Sequence, residues 1–589
     1  MINAIKSIIV ISIGLTSTSF SAIPRQPMPT RPPPLIELVS APLCGARRGA
    51  AGPPAVLAFA ATFAEPAADM RPIPLYPDLI KSSFPVTTSN DQARRYFHQG
   101  LMLSYGFNHA GAVRSFRQAQ RLDPNCAACW WGEAVALGPN INAAMDDRDR
   151  AAALHAMDRA MMLRQYASPM EIGLIEAAAH RYSRQPNTDR ALLDAQYADA
   201  MIALAHHFPQ DDDIAVLAAE AAMDTSPWNY WQSDKKTPVG RSADAIRLVD
   251  MVMARNPSHV QAGHLAIHLY EASDPARAEA AADRLSRGAP SSAAHLVHMP
   301  THIYQARGRY ADSIRVNSAA ARADEAFIRS AGDHGLVRYG YYPHNVHFIV
   351  TSAQLAGDMD RAIQEAARLR LLLDVETSGK IAWIQAIDAA PYMAMAQFAE
   401  PSAILAMPEP DRRLPYAAAI RHYARAIAYA QQQDRAAFNQ EISAMHALAQ
   451  SGAFTDMIAQ DMPATDLLTL AEAAARGRFA ALAGDYAQAE HFYRAAIAVE
   501  DSLPYQEPAY WYYPVRQSLG AAQFLDQRYA EAAATFDDIL RRTPHNGWAL
   551  YGLTMSKAAT GDMVGAATAS TAFTQAWLGN PNWLKMNRL

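Results

Sequence analysis

Apolar residues along most of this chain recur with the 3.6-residue period of a helix, not with the alternation of a strand. From Asp91 onward, Ala-rich segments with this period follow one another. No alternating β-branched stretch is long enough to form a sheet. The pattern therefore predicts an all-α protein over residues 91–589.

The spacing of small and large residues repeats from segment to segment. In YFHQGLMLSYGFNHAGAVRSFRQAQRLDPN, Gly100 and Ala112 would let two antiparallel helices approach closely, and Phe116 would fill the gap between them. Pro124 would end the second helix. The spacing returns in IYQARGRYADSIRVNSAAARAD, FAALAGDYAQAEHFYRAAIAVED and AAQFLDQRYAEAAATFDDILRRTPHN. These segments predict a series of helical hairpins.

On these segments the chain resembles the tetratricopeptide repeat (TPR) family, from about Asp91 to the C-terminus. The resemblance implies an α-solenoid, a superhelix of hairpins, and leaves the function open because such solenoids serve many partners. The chain also resembles a group of exported bacterial TPR proteins in three blocks. The blocks are CAACWWGEAVALGPNIN, HMPTHIY with the nearby YYPHNVHF, and EPAYWYYPVRQSLGAA. This second resemblance implies export and carries no activity.

The N-terminus has the pattern of a secretory signal. Lys6 precedes the short apolar stretch Ser7–Leu15, and small residues follow it, which predicts a signal peptide over residues 1–22. A second basic and apolar segment would allow cleavage as late as residue 64. We expect residues 23–90, rich in Pro and Ala, to be a flexible leader. The mature protein would then be periplasmic or extracellular.

Composition and motifs exclude several classes of partner and activity. The net charge is −5 and Lys and Arg form no stripe, so a nucleic acid or anionic membrane surface has no electrostatic support. The N-terminal apolar stretch is too short for an integral membrane span. There is no Gly-rich phosphate loop, GxSxG elbow or HExxH motif, which argues against kinases, nucleotide hydrolases, common esterases and common zinc proteases.

Histidines are concentrated in one part of the chain. Nine of the 19 histidines lie between residues 259 and 347. They are His259, His264, His268, His295, His298, His302, His334, His344 and His347. Their register repeats, because one pair lies 13 and 10 residues before Gly308 and another pair lies 13 and 10 residues before Gly357. Two successive hairpins therefore present histidines from equivalent places.

The TPR resemblance implies that first helices line a concave groove. By that resemblance, seven histidines would face the groove from three adjacent helices. They are His264, His268, His295, His298, His302, His344 and His347. Neighbouring helices pack about 8–10 Å apart, a span that opposed imidazoles can bridge through one metal ion. Pro300 predicts a kink beside His298 and His302.

These residues indicate a metal site that holds a small ligand or peptide. Imidazoles spaced by three or four on rigid helices suit zinc, copper or iron, with Glu271 as a possible carboxylate ligand. Tyr304, Tyr341 and Tyr342 are candidate hydrogen-bonding partners of the ligands. A copper or iron oxidoreductase or a zinc hydrolase on the same residues is one alternative. A metal-free groove or a scaffold for cell-envelope proteins is another.

Two further features carry candidate chemistry. Cys126 and Cys129 open a predicted helix with Glu133 one turn beyond, which fits a local disulfide, a second metal site or a redox pair. Trp511 and Tyr512 belong to the aromatic run YWYYP, which fits core packing or a wall that stacks on a ligand.

Overall fold

A computed structural model describes residues 73–185 and 188–589, and within these ranges the regular secondary structure is helical. The helices of the N-terminal half are α1 Asp91–Tyr105, α2 His109–Leu122, α3 Ala127–Ala136, α4 Arg150–Leu163, α5 Pro169–Ala179, α6 Arg190–His207, α7 Asp212–Asp224, α8 Ser242–Arg255, α9 Val260–Tyr270, α10 Pro275–Gly288, α11 Ala294–His298, α12 Pro300–Ala306 and α13 Tyr310–Ala331. Those of the C-terminal half are α14 Tyr342–Ala356, α15 Met359–Leu372, α16 Val375–Lys380, α17 Ala382–Asp388, α18 Ala390–Phe398, α19 Pro401–Leu405, α20 Pro415–Gln432, α21 Arg435–Gln450, α22 Thr455–Ala459, α23 Ala464–Leu482, α24 Tyr486–Ser502, α25 Val515–Leu525, α26 Tyr529–Arg542, α27 Gly547–Ala559 and α28 Met563–Ala576.

Successive helices pack as antiparallel hairpins, and a buried ring joins each hairpin to the next where the repeat spacing is clearest. Phe116 on α2 lies against Gly100 on α1 and Gly132 on α3 so closely that a Cβ added to either glycine would come within 2.8 Å of the ring. Phe536 on α26 lies in the same way between Gly520 and Gly552. The predicted TPR-type α-solenoid is confirmed, with the aromatic side chain in the predicted gap.

The predicted leader is wrong from residue 73 onward, because that part of the chain belongs to the fold. Ile73 and Leu79 are fully buried, and the Phe84 ring packs 5.2 Å from Phe97, measured between centroids. The backbone N–H of Tyr76 donates to Gln99 Oε1 at 2.8 Å. The apolar residues of this stretch cover the first hairpins, so it is ordered without forming a helix. The predicted signal peptide and both cleavage positions lie outside the described residues.

The middle of the chain brings α9, α11, α12 and α14 together. The helical path breaks between α11 and α12, where Pro300 supplies no backbone N–H. The break lies at the predicted kink, between His298 and His302. The segment 503–514, which precedes α25, packs against this region from a distant part of the sequence.

Candidate metal centre

Six of the seven predicted ligands form one continuous buried cluster. None of the six side chains belongs to a residue more than 4 % exposed. The six are His264, His268, His295, His298, His302 and His344. The expectation that these histidines face an open groove is therefore wrong. The rings of Phe107 and Phe348 pack over them, with centroids 4.7 Å from His264 and 5.1 Å from His302.

The cluster consists of two adjoining sets of three imidazoles. We call them the first triad, which is His264, His268 and His295, and the second triad, which is His298, His302 and His344. Within each triad, one nitrogen from each ring lies within 4.8 Å of the others. The triads meet where the ring centroids of His295 and His298 are 5.9 Å apart and those of His268 and His302 are 6.2 Å apart.

Local sequence explains the geometry inside each triad. Residues four apart lie on the same face of a helix, one turn from each other. On α9 this spacing brings the Nε2 atoms of His264 and His268 to 3.0 Å. Across the α11–α12 break it brings the Nε2 atoms of His298 and His302 to 2.9 Å. The third member of each triad comes from a different helix.

Four of the rings have their Nδ1 atom held by a side-chain oxygen. His264 Nδ1 lies 3.1 Å from Gln261 Oε1, and His298 Nδ1 lies 2.7 Å from Asn317 Oδ1. Glu271 serves the other two rings, with Oε1 3.2 Å from His268 Nδ1 and Oε2 2.9 Å from His302 Nδ1.

The neighbouring hydrogen bonds fix which atom of each amide faces its histidine. Gln261 Nε2 donates to Glu220 Oε2 at 3.0 Å, so its oxygen is left for His264. Asn317 Nδ2 donates to Thr301 Oγ1 at 2.6 Å, so its oxygen is left for His298. Because amide and carboxylate oxygens accept, the Nδ1 atom of each of these four rings carries a proton.

In the first triad, where the pKa of both rings is lowered, the consequence is that the Nε2 lone pairs of His264 and His268 face each other. In the second triad, His302 lies between the carboxylates of Glu271 and Glu507, and its Nε2 faces that of His298. Burial, together with neighbouring imidazoles, lowers the pKa of His264, His268 and His298 well below the usual range. A shared proton is therefore disfavoured at neutral pH. Two lone pairs at hydrogen-bonding distance in a dry interior repel each other unless a cation lies between them.

His295 and two carboxylates supply further atoms that could bind a metal. Neither ring nitrogen of His295 has a hydrogen-bond partner, although the side chain is buried. Glu507, from the segment 503–514, contacts His302 Nδ1 with Oε2 and Tyr505 with Oε1. His302, Glu271 and Glu507 together form a third set of donors within 4.8 Å of one another. Burial raises the pKa of Glu271 and of Glu507, and the nearby His302 opposes that shift.

His347 is the predicted ligand that does not join the cluster. Its Nε2 lies 2.7 Å from the hydroxyl of Tyr512, and it belongs to none of the donor sets. The register argument paired His347 with His298, yet the two have different environments. The difference arises because the segment 503–514, whose approach no local pattern reveals, packs beside α14.

Of the predicted aromatic partners, two contact the predicted histidines and three do not. Tyr341 packs on His295 with ring centroids 4.6 Å apart, and Tyr512 contacts His347. The hydroxyl of Tyr304 donates to Asp283 at 2.9 Å, and that of Tyr342 donates to Glu325 at 2.5 Å. Trp511 packs against the rings of other tyrosines. Tyr304, Tyr342 and Trp511 therefore contact neither triad through these groups.

The predicted second site is a disulfide. Cys126 and Cys129 are bonded to each other and buried, so their sulfurs are not available as metal ligands in this state. The Glu133 carboxylate accepts from Arg117 Nε and from Gln120 Nε2, each at 2.6 Å. Glu133 therefore forms an ion pair with Arg117 beside the disulfide.

Sequence reasoning missed three residues of the centre: Gln261, Asn317 and Glu507. The first two hold imidazoles through Nδ1, and Glu507 reaches His302 from 205 residues away. The only available signal was that Glu507 opens one of the blocks shared with the exported TPR proteins.

Comparisons with known proteins add little to this picture. No family model and no curated protein matches the chain. Among solved structures, the human IFIT1 dimer with m7Gppp-AAAA has 12% identity and a TM-score of 0.31, with 81% of this chain and 94% of that chain covered. The TPR domain of P58(IPK) has 11% identity and a TM-score of 0.20, with coverages of 80% and 98%. Yeast Tom70 has 10% identity and a TM-score of 0.28, with coverages of 85% and 94%. At such TM-scores the similarities carry no argument about the centre.

None of the helices in the described ranges combines the length and apolar character needed to cross a bilayer.

Proposed function

We propose that this protein is an exported TPR-type solenoid that binds transition-metal ions at the two imidazole triads. The observation that carries the proposal is the pair of facing Nε2 atoms in each triad, 3.0 Å apart in the first and 2.9 Å apart in the second. Each pair is held by oxygen atoms behind the rings, so neither ring can turn its Nδ1–H inward without breaking that contact. A metal ion removes the repulsion and takes both lone pairs as ligands.

The geometry fits imidazole coordination. A tetrahedral metal with bonds of about 2.0–2.1 Å to nitrogen needs ligand nitrogens about 3.3 Å apart, so each facing pair needs to open by only a few tenths of an ångström. His295 and His344 supply the third nitrogens. Glu271 lies behind His268 and His302, which is the carboxylate–histidine arrangement that orients metal ligands. All-imidazole donors favour copper, zinc or iron over magnesium or calcium.

The existence of two triads predicts two ions per chain. One ion shared by all six rings is a poorer fit, because the ring nitrogens that lie within 4.8 Å of one another form two separate sets of three imidazoles. Tetrahedral metals satisfy their coordination with three nitrogens and one further ligand.

The test is elemental analysis of protein purified without an affinity tag. We expect close to two equivalents of copper, zinc or iron, and close to one in His264→Ala and in His298→Ala. His334→Ala is the matched control, because His334 lies in the same His-rich window and is exposed. The proposal is wrong if no metal co-purifies and none is taken up when Cu, Zn or Fe salts are added to the folded protein.

A catalytic role on the same centre is the second candidate, because His344 of the second triad and Glu507 line a recess at the edge of the cluster. If no metal is found, the remaining interpretation is a metal-free scaffold for cell-envelope proteins.

Export is supported by the signal-like N-terminus and by the Cys126–Cys129 disulfide, a bond that persists in oxidising compartments. Export can be tested by mass spectrometry of the secreted or periplasmic fraction, which identifies the N-terminal residue of the mature protein.

A further inference from the structure

A small cavity lies against His295, the third member of the first triad. It is bounded by the end of α1, the start of α11, α13 and the segment Val337–Tyr341 that precedes α14. Its volume is about 20 Å³. A buried water molecule needs about 10–15 Å³ of such space, so the cavity has room for one water molecule. We call it the His295 cavity.

His295 differs from most rings of the cluster in its hydrogen bonding. Four other rings have their Nδ1 atom beside a side-chain oxygen. Among the residues that the structure describes, none forms a hydrogen bond with either ring nitrogen of His295, although this residue is only 4 % exposed. One of its nitrogens belongs to the donor set of the first triad. The other is a buried polar atom, and such atoms are almost always hydrogen-bonded to protein or to ordered water.

A buried carboxyl group, that of Asp324 on α13, lines the same cavity. Asp324 is 1 % exposed, and its Oδ2 accepts from Asn345 Nδ2 at 2.7 Å. Burial raises the pKa of Asp324 well above its usual range, although the hydrogen bond from Asn345 opposes the shift. An ionised carboxylate accepts from water through either oxygen, and a neutral carboxyl group still accepts through its carbonyl oxygen. The group can therefore bond to water in both protonation states.

The lining of the cavity argues against an ion as its occupant. No Lys or Arg occurs among the described residues that line it, so an anion such as chloride would meet Asp324 without a compensating charge. A metal ion would find one imidazole and one carboxyl group, whereas zinc sites have three or four protein ligands. Much of the remaining wall is apolar, with Leu103, Phe327 and Val337. Water is the occupant that fits both the size and the lining.

From these observations we propose that the His295 cavity holds one water molecule, which joins His295 to Asp324. The water accepts from the N–H of the ring nitrogen that is not a metal ligand, and it donates to an oxygen of Asp324. Asp324 is then a positioning residue, because it orients His295 through the water as Gln261 orients His264 directly. The water site does not depend on the proposed function, whereas the effect of Asp324 on metal affinity rests on it.

The direct test is a high-resolution crystal structure of the full-length protein. We expect one solvent peak in the cavity, at about 2.6–3.2 Å from a ring nitrogen of His295 and from an oxygen of Asp324. The peak should give no anomalous signal. A cavity without density, a peak that contacts only one of the two side chains, or an anomalous signal at the peak would overturn the proposal.

The effect of Asp324 on the first triad is measured in the His298→Ala background, in which the first triad is the intact set of ligands. Asp324→Leu removes the polar group and should lower metal affinity about 10–100-fold, measured by competition with a chromophoric chelator. Asp324→Asn keeps an atom that can bond to the water and should restore affinity to within a few-fold. In the His264→Ala background, where the second triad is intact, Asp324→Leu should leave affinity unchanged. A general loss of structure would lower both affinities.

Asp333→Leu is the matched control, because Asp333 is also a buried carboxyl group but does not line the cavity. Its Oδ2 accepts from the backbone N–H groups of Gly335 and Arg338, so its loss should lower stability and leave the metal affinity of the first triad unchanged. If Asp324→Leu has no larger effect than this control in the His298→Ala background, Asp324 does not position His295 and the proposal is wrong. If no protein binds metal while the solvent peak is present, the water site stands and the metal proposal alone fails.

Discussion

The Nε2 atoms of His298 and His302 lie 2.9 Å apart, and the Nδ1 atom of each ring lies against a side-chain oxygen. Asn317 holds the first ring from behind, and Glu271 holds the second. The two Nε2 atoms are held at a separation that one metal ion could bridge after the pair opens by a few tenths of an ångström. The polar residues around the triads therefore matter as much as the imidazoles.

Glu271 is the residue that contacts one imidazole of each triad. Glu271→Gln keeps the shape of the side chain, but its amide nitrogen cannot accept from an imidazole N–H. His268 would then lose its acceptor if the amide nitrogen faced it, whereas His302 would keep its contact with Glu507. We expect metal affinity to fall about 10–100-fold, measured by competition with a chromophoric chelator.

Glu279→Gln is the control for that experiment, because Glu279 is a partly exposed carboxylate paired with Arg307 and Arg309. It should leave metal affinity unchanged. If the two variants behave alike, Glu271 does not orient the ligands.

Removal of metal should lower the thermal stability of the protein. A ligand that binds only the folded state stabilises it by about 4 kcal/mol when its free concentration is about 1,000 times its Kd. Chelation also restores the repulsion between the facing lone pairs of His264 and His268. We expect an apparent Tm lower by several degrees after dialysis against a chelator, measured by calorimetry, with recovery when metal is returned. An unchanged Tm in protein shown to have lost its metal would contradict the proposal.

Acid should destabilise the metal-free protein through its buried neutral histidines. Burial lowers the pKa of His347 from 6.5 to about 3. On acidification the unfolded chain therefore takes up this proton first. The stability that follows from the shift is complete above pH 6.5 and is lost as the pH falls from 6.5 towards 3.

For this one residue, we expect a loss of about 2 kcal/mol between pH 7.5 and pH 5. His347→Gln should remove that part of the pH dependence, whereas His334→Gln should not. Urea unfolding of the metal-free proteins at the two pH values measures it. Equal pH slopes in all three proteins would show that the pKa of His347 is not depressed.

The close packing of glycine against aromatic rings can be tested by adding one methyl group. A Cβ on Gly132 would lie 2.5 Å from the Phe116 ring, whereas a Cβ on Gly263 would meet no atom within 4 Å. We expect Gly132→Ala to lower the free energy of unfolding by about 1–3 kcal/mol through overpacking. Gly263→Ala should be neutral or stabilising by up to about 1 kcal/mol, because alanine is the better helix former. Chemical denaturation of the two variants checks the difference, and equal effects would contradict the packing.

Much of the fold could be predicted because its signals are local. The period of 3.6 and the spacing of Gly100, Phe116 and Pro124 repeat within about 30 residues, the length of one hairpin. The facing pairs His264 with His268 and His298 with His302 could be predicted too, because residues four apart share a helix face. The sequence did not predict that residues 73–90 belong to the fold, because a non-helical segment that packs on helices has no regular spacing of apolar residues.

The sequence by itself determined the helical hairpins, the spacing that makes His264 face His268 and His298 face His302, and the density of imidazoles in one region. Only the tertiary structure decided that these rings are sealed from solvent, that Glu271 holds one ring from each triad, and that Glu507 closes the centre while Tyr512 takes His347 out of it. The physical reason is the distance along the sequence between the residues that make each contact. Helix geometry depends on neighbours within a few residues, whereas the contacts of Glu507 and Tyr512 join positions 205 and 165 residues apart, and their approach depends on how all the intervening hairpins stack.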